Sequence, residues 1–181
     1  MAEPSMSNPG AKYTLEIRVL HWLMAIAIVG MIIAGFVAAG LPKTDPARHL
    51  YLGLHKSFGT TLFALAALRL MLRSFTASPP LPDAIAAMQR NLAKSAHVVL
   101  YGLMLLMPVS GYVMSISMGQ PVRWFGFAVP RLLAEDKARG LMAGNVHAAA
   151  GYLLIAVLAL HLGAVAWHYA FDRVNLLRRV V

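Results

Sequence analysis

The chain has 181 residues, 59% of them hydrophobic and only 13% charged, with a formal net charge of +9. Because ordinary globular domains are about 25% charged, this composition indicates an integral membrane protein, with scattered basic residues suited to anionic lipid rather than to nucleic acid. The chain contains no cysteine, which excludes disulfides, Cys-ligated iron–sulfur clusters and covalently attached c-type haem.

The N-terminal region predicts a disordered tail over residues 1–12, followed by one four-helix membrane domain over residues 13–181. The first span covers about residues 19–41, and its uncharged run is longer than the apolar core of a signal peptide. His21 lies at the start of this span in the sequence Leu-His-Trp. Its position fits either a functional histidine or an interfacial anchor.

The second span is predicted over about residues 50–72, after a polar loop that includes His49, which we expect to be solvated. It carries His55 and Lys56 near one end, and Arg69 and Arg73 near the other. Long basic side chains near helix ends can reach the membrane interface. These charges favour a helix whose ends face protein or cofactor rather than lipid.

The third span is predicted over about residues 95–119, with His97 and Tyr101 one turn apart on the same face. Residues 83–94 predict a short amphipathic helix that leads into it. Residues 119–143 form the longest predicted loop, whose first half is aromatic and whose second half predicts a short surface helix. A structured loop of this kind could cap a cofactor.

The fourth span, about residues 145–171, contains the most informative pattern. No charged residue interrupts Gly140 to Phe171, which is longer than the ~20 residues that a membrane helix requires. His147 and His161 are fourteen residues apart, so they share a helix face about 21 Å apart along the axis. Ionisable residues inside spans are costly and usually functional, and this spacing predicts axial ligands for two stacked haems.

The predicted topology restricts the partners of these two histidines. Four spans put both termini on one side, and a slight excess of Lys and Arg there favours the cytoplasm. His55 and His147 both lie near the beginning of their spans, at the outer side, so we predict that they form the outer pair of haem ligands. His161 belongs to the inner side, where its partner is either His21 or His97, and spacing does not choose between them. Bis-histidine ligation leaves no open iron position, so it predicts one-electron transfer.

Several of these motifs resemble the bacterial cytochrome b561 family. They are Leu-His-Trp in the first span, Gly-Leu-His-Lys in the second, His-x13-His-x6-His-Tyr in the fourth, and Gly-Gln-Pro-Val-Arg-Trp-Phe-Gly-Phe-Ala-Val-Pro in the long loop. The resemblance covers roughly residues 13–179. It implies a protein of the bacterial inner membrane with cytoplasmic termini and two haems b, one held by His21 and His161 and the other by His55 and His147.

The resemblance also implies electron exchange between the ubiquinone pool and a periplasmic one-electron partner, either a redox protein or superoxide, which one branch of the family oxidises to dioxygen while quinone is reduced. It leaves His97 and His168 near the inner haem, where a quinone would bind. Tyr101 could complete that site, although interfacial or structural roles are equally compatible with both histidines. Lys56 and Arg123 are candidates for neutralising haem propionates or attracting an anionic reactant. No catalytic acid or base is predicted.

Three other functions fit parts of the pattern. A cytochrome b subunit that relays electrons between quinone and a partner dehydrogenase or hydrogenase would use the same haem chemistry. A histidine-based metal or proton transporter would more often carry Asp or Glu within its spans, and here none does. A purely structural bundle leaves the six span-associated histidines unexplained.

Overall fold

The computed structural model describes residues 12–79 and 85–181, so the predicted N-terminal tail lies outside the described residues except for Lys12. Four helices dominate the described chain: α1 (Leu15–Gly40), α2 (Pro46–Phe75), α3 (Ala87–Ser117) and α4 (Lys137–Ala170). Each of the four is long and apolar enough to cross a membrane. The predicted all-α, integral membrane four-helix bundle is therefore confirmed.

The helices extend beyond the predicted spans, mostly at their N-terminal ends. Asp45 caps α2 by accepting a hydrogen bond from the Ala47 N–H at 2.8 Å, and Asp136 caps α4 by accepting from the Arg139 N–H at 3.0 Å. These caps satisfy backbone donors that a helix start leaves free. Residues 87–94 of the segment predicted as a lead-in helix belong to α3 itself. The second half of the long loop was predicted to form a separate surface helix. Its residues from Lys137 onward instead belong to α4.

The first half of the long loop forms a small β-hairpin of β1 (Arg123–Trp124) and β2 (Phe127–Ala128). Its two-residue turn has positive φ angles at Phe125 (46°) and Gly126 (97°), as the twist of a tight hairpin requires. The Phe125 N–H donates to the Ser57 hydroxyl at 3.0 Å, and the Trp124 indole donates to the Thr61 hydroxyl at 3.0 Å. The hairpin is thereby fixed to α2.

The bundle consists of two helical hairpins, because α1 packs mainly on α2 and α3 mainly on α4, with further contact between α2 and α3. Buried positions are often small, as at Ala66, Ser110 and Ala150, which lets the backbones approach closely. Large apolar side chains point outward instead, and Ile26 and Leu160 are 70% and 72% exposed. This distribution is expected where lipid surrounds the helices.

The C-terminal segment packs against the beginning of the described chain. It forms a short 3-10 helix (Leu176–Arg179). The Tyr13 N–H donates to the Arg179 carbonyl at 3.0 Å, and the Trp22 indole donates to the Val180 carbonyl at 2.8 Å. The guanidinium groups of Arg73 and Arg179 lie over the Tyr13 ring. Both ends of the described chain therefore lie at the same end of the bundle.

Candidate haem and quinone sites

The end of the bundle that holds both ends of the described chain is named the inner end, and the opposite end the outer end, after the predicted topology. The outer end brings His55 of α2 and His147 of α4 together. Their ring centroids are 6.2 Å apart, and the ring planes are inclined by 70°. With metal–nitrogen bonds of about 2 Å, two imidazoles on opposite faces of one metal ion have centroids about 6.3 Å apart. The distance across this pair therefore fits an iron between the rings.

His147 is held in the orientation that a metal ligand needs. Its Nδ1–H donates to the Met107 carbonyl at 2.9 Å, in the turn of α3 beside Pro108, and the Ser110 hydroxyl lies 3.1 Å from the same nitrogen. This bond places the proton on Nδ1 and leaves the Nε2 lone pair free. His55 differs, because its buried Nδ1 makes no hydrogen bond of standard geometry among the described residues and has only a weaker contact with the Met31 backbone.

Each ring of this pair lies against a glycine of the neighbouring helix. A Cβ atom added at Gly35 of α1 would lie 3.3 Å from His55 Cε1, and one added at Gly111 of α3 would lie 3.1 Å from His147 Cε1. Both distances are shorter than ordinary carbon contacts. The absence of a side chain at these two positions therefore allows the imidazoles to approach the helices.

The two rings border a cavity of about 470 Å³ that all four helices line. Its walls are mostly apolar and include Met24, Met31, Met104, Met107 and Ile155. A cavity of this size and polarity suits a large, flat, apolar cofactor. The residues present therefore fit a haem held by two histidines.

Two cations line this cavity. Lys56 donates to the Pro121 carbonyl at 3.2 Å, and Arg48 donates through Nε to the Ala38 carbonyl at 3.1 Å. Arg123, the other cation considered from sequence, is exposed on β1 and does not belong to the cavity wall. Arg48 belongs to the segment predicted as a polar loop before the second span, whereas it lies in the first turn of α2 and lines the cavity.

The inner end of the bundle contains a second histidine cluster. The rings of His97 and His161 have centroids 5.3 Å apart, and His21 is close enough to interact electrostatically with both. The His97 Nδ1–H donates to the Ala93 carbonyl at 2.6 Å, which leaves its Nε2 free. At 5.3 Å the His97 and His161 rings are about 1 Å too close to hold an iron between them.

Arg69 of α2 connects three helices within this cluster. Its guanidinium donates to the Ile17 carbonyl of α1 at 2.6 Å and to the Tyr101 hydroxyl of α3 at 3.0 Å. A third nitrogen lies 3.4 Å from Nδ1 of His21. Arginine can only donate, so this contact places the His21 proton on Nε2. Metal binding through Nε2 of His21 requires the Arg69 contact to break.

His168 lies seven residues beyond His161 on α4 and is buried, with 9% of its surface exposed. Its Nδ1 is 2.6 Å from Oδ2 of Asp172. His168 was predicted from the sequence as a candidate quinone contact, whereas Asp172 was not predicted, and Arg69 was assigned only to a helix end that faces protein or cofactor. The signal for Arg69 was present, because a charged residue within an apolar span is a functional candidate by default. The contact between His168 and Asp172 could also have been predicted, because residues four apart at a helix end are close enough to interact.

This arrangement defines a class of protein, namely multi-pass membrane bundles whose helices present paired histidines to a cavity suited to haem. Residues 12–181 match the model of the family described as prokaryotic cytochrome b561. The chain belongs to this family, and it is a haem b membrane electron-transfer protein of a bacterial membrane.

Two curated relatives from Escherichia coli (strain K12) support the assignment. The chain is 31% identical to cytochrome b561 homolog 2 over 179 residues, which cover 98% of this chain and 95% of that protein. It is 25% identical to cytochrome b561 homolog 1 over 165 residues, covering 90% and 92% of the two chains. Both similarities extend across all four helices.

Proposed function

We propose that this protein holds two haems b and moves electrons between ubiquinone at the inner side of the membrane and a one-electron partner, such as superoxide, at the outer side. The observation that carries the proposal is the His55–His147 pair, with a ring separation of 6.2 Å across a cavity of about 470 Å³. Bound haem would supply one-electron redox chemistry. The protein supplies ligation, orientation and exclusion of water.

The outer site is assigned to His55 and His147, with Lys56 and Arg48 placed to neutralise the propionates. The two cations also make the cavity wall positive, which favours encounter with an anionic reactant. Arg123 remains a candidate for the latter role only, because it is exposed on the hairpin.

The inner site is assigned to His161 with His21, as the family resemblance implies. His97 is the alternative, because its Nε2 is free and its ring lies beside that of His161, although the two rings would have to separate by about 1 Å to hold an iron. Replacing His21 with alanine should remove the inner haem, and replacing His97 should not. The opposite result would exchange the two roles.

The quinone is placed at the inner end, near His168, His97 and Tyr101. Asp172 fixes the proton of His168 on Nδ1, so Nε2 can accept a proton from a quinol hydroxyl. In the proposed orientation this site faces the cytoplasm, which supplies and accepts protons.

Haem content of the purified protein tests the proposal. We expect a reduced b-type absorption spectrum and two non-covalent haems per chain, with one lost in His147→Ala and the other lost in His161→Ala. His49→Ala is the matched control, because His49 is an exposed histidine of the same helix as His55. A colourless wild-type protein, or two haems retained in both variants, would refute the proposal.

The electron donor is tested separately with the isolated chain in vesicles containing ubiquinone. Superoxide should reduce the haems, and a pre-reduced protein should transfer electrons to quinone without any added protein partner. If reduction by superoxide or quinol requires a soluble dehydrogenase or hydrogenase, the chain is a relay subunit instead.

A further inference from the structure

Arg69 is a charged residue inside the membrane domain that is neither a proposed haem ligand nor part of the proposed quinone site. We propose that Arg69 sets the redox potential of the inner haem by holding one positive charge beside its ligands. This inference rests on the proposed function, because it presupposes a haem at the inner histidine cluster.

The charge of Arg69 is fixed in place by contacts that do not involve a haem ligand. One guanidinium nitrogen donates to the Ile17 carbonyl at 2.6 Å, and Nε donates to the Tyr101 hydroxyl at 3.0 Å. These two bonds join α2 to α1 and α3. The weaker 3.4 Å contact to His21 can therefore break on haem binding while the guanidinium stays where it is.

No acidic side chain neutralises this charge in the part of the chain that the structure describes. Over residues 12–79 and 85–181, salt bridges join only Arg131 to Glu135 and His168 to Asp172. Glu16 is the single acidic residue within the four helices, and it is exposed at the start of α1. The guanidinium is always protonated in proteins, so the inner cluster carries a permanent positive charge.

The sign of the effect follows from the charge of the iron. The ferric form has one more positive charge than the ferrous form, so a nearby cation disfavours oxidation and raises the midpoint potential. Charges in a low-dielectric interior are weakly screened, and Arg69 interacts electrostatically with both His21 and His97. The effect on potential therefore holds whichever of these histidines is the inner ligand.

Redox titration of the purified holoprotein tests this role. Arg69→Gln keeps a hydrogen-bonding side chain but removes the charge. It should lower the midpoint potential of the inner haem by at least about 59 mV, which is a tenfold change in the equilibrium constant for one-electron reduction. Arg69→Lys retains the charge and should keep the potential near that of the wild type. The outer haem serves as the internal reference, and the His147→Ala variant identifies which titration belongs to it.

A second pair of variants tests the charge without removing Arg69. Tyr101→Glu places a carboxylate against the guanidinium and should lower the inner potential, whereas Tyr101→Phe removes only a hydrogen bond and should not. If Arg69→Gln loses its inner haem, the two Tyr101 variants still show whether the charge of Arg69 raises the inner potential. An unchanged inner potential in both charge-altering variants, or an equal shift of both haems, would overturn the role of Arg69. The proposed function fails on different outcomes, namely a wild type that lacks haem or does not react with quinone, or both haems retained in His147→Ala and His161→Ala.

Discussion

The two histidines of the outer pair depend on glycines that leave room for their rings. Gly35 faces His55 and Gly111 faces His147, and a methyl group at either position would lie closer to the ring than an ordinary carbon contact. Because the His147 ring is also fixed by its bond to the Met107 carbonyl, it cannot move away without losing that bond. The glycines therefore act on ligand geometry through packing.

The substitution Gly111→Ala should weaken binding of the outer haem about tenfold, since disturbing the support of a metal-ligating histidine typically costs 10–100-fold in affinity. Alanine is a better helix former than glycine by about 1 kcal/mol, so helix propensity alone predicts the opposite. Competition for haem with an acceptor protein measures the change. Gly102→Ala is the matched control, because Gly102 lies on the same helix with open space beside it. Equal haem affinity in both variants would contradict the prediction.

At the inner end, Asp172 orients His168 through the 2.6 Å contact between Oδ2 and Nδ1. Asp172→Asn should slow electron exchange with ubiquinol at least tenfold at unchanged haem content, since correctly placed acid–base groups contribute about 10²–10⁴-fold. Stopped-flow reduction of the haems by ubiquinol measures this rate. Glu16→Gln removes an exposed carboxylate from the inner end of α1 and should leave the rate unchanged. A loss of haem from Asp172→Asn would instead indicate a structural role.

At the scale of elements, the β-hairpin closes the outer end of the bundle against α2. Ser57 is buried and central to this contact, because its hydroxyl accepts from the Phe125 N–H at 3.0 Å and lies 3.2 Å from the Arg123 carbonyl. Lys56, which precedes Ser57 on α2, donates a hydrogen bond to the carbonyl of Pro121, two residues before β1. The hairpin is therefore held beside the turn of α2 that carries His55, the proposed ligand, and Val122, the residue before β1, lines the cavity.

Ser57→Ala should loosen the hairpin and increase the rate of haem loss from the outer site about tenfold. The reason is that the Phe125 N–H loses its acceptor in a part-buried contact, which costs about 1 kcal/mol. Haem transfer to an acceptor protein and amide exchange at Phe125 report the change. Ser74→Ala is the control, since Ser74 is an exposed serine of the same helix that bonds only to the Met71 carbonyl among described residues. Unaltered exchange at Phe125 would contradict the prediction.

Hydropathy was sufficient to predict the four helices, because each contains a long apolar run. Depth along the spans was also sufficient to select His55 and His147, which the structure brings together. The hairpin was not predicted, because strands of two residues have no periodicity to detect. The contacts of Arg69 could not be predicted either. They depend on how α1, α2 and α3 are rotated about their axes, which apolar runs exposed to lipid on many sides do not specify.

At the scale of the whole molecule, the ends of the described chain lie together at one end of the bundle, where Tyr13 bonds to Arg179. Arg73, Arg178 and Arg179 lie near this end and favour the cytoplasmic side. A fluorescent protein fused to the C-terminus should therefore fold and fluoresce, whereas alkaline phosphatase fused there should be inactive. Alkaline phosphatase inserted after Gly126 of the hairpin should be active. The reverse pattern of activities would invert the proposed orientation.

The division into two helical hairpins has a consequence for biosynthesis. Each haem that we propose has one ligand on the α1–α2 hairpin and the other on α4, which leaves the ribosome after α1, α2 and α3. A nascent chain that ends before His147 therefore has no complete site for either cofactor. Haem insertion must follow translation of the whole membrane domain, and the cofactors would join two halves that enter the membrane at different times.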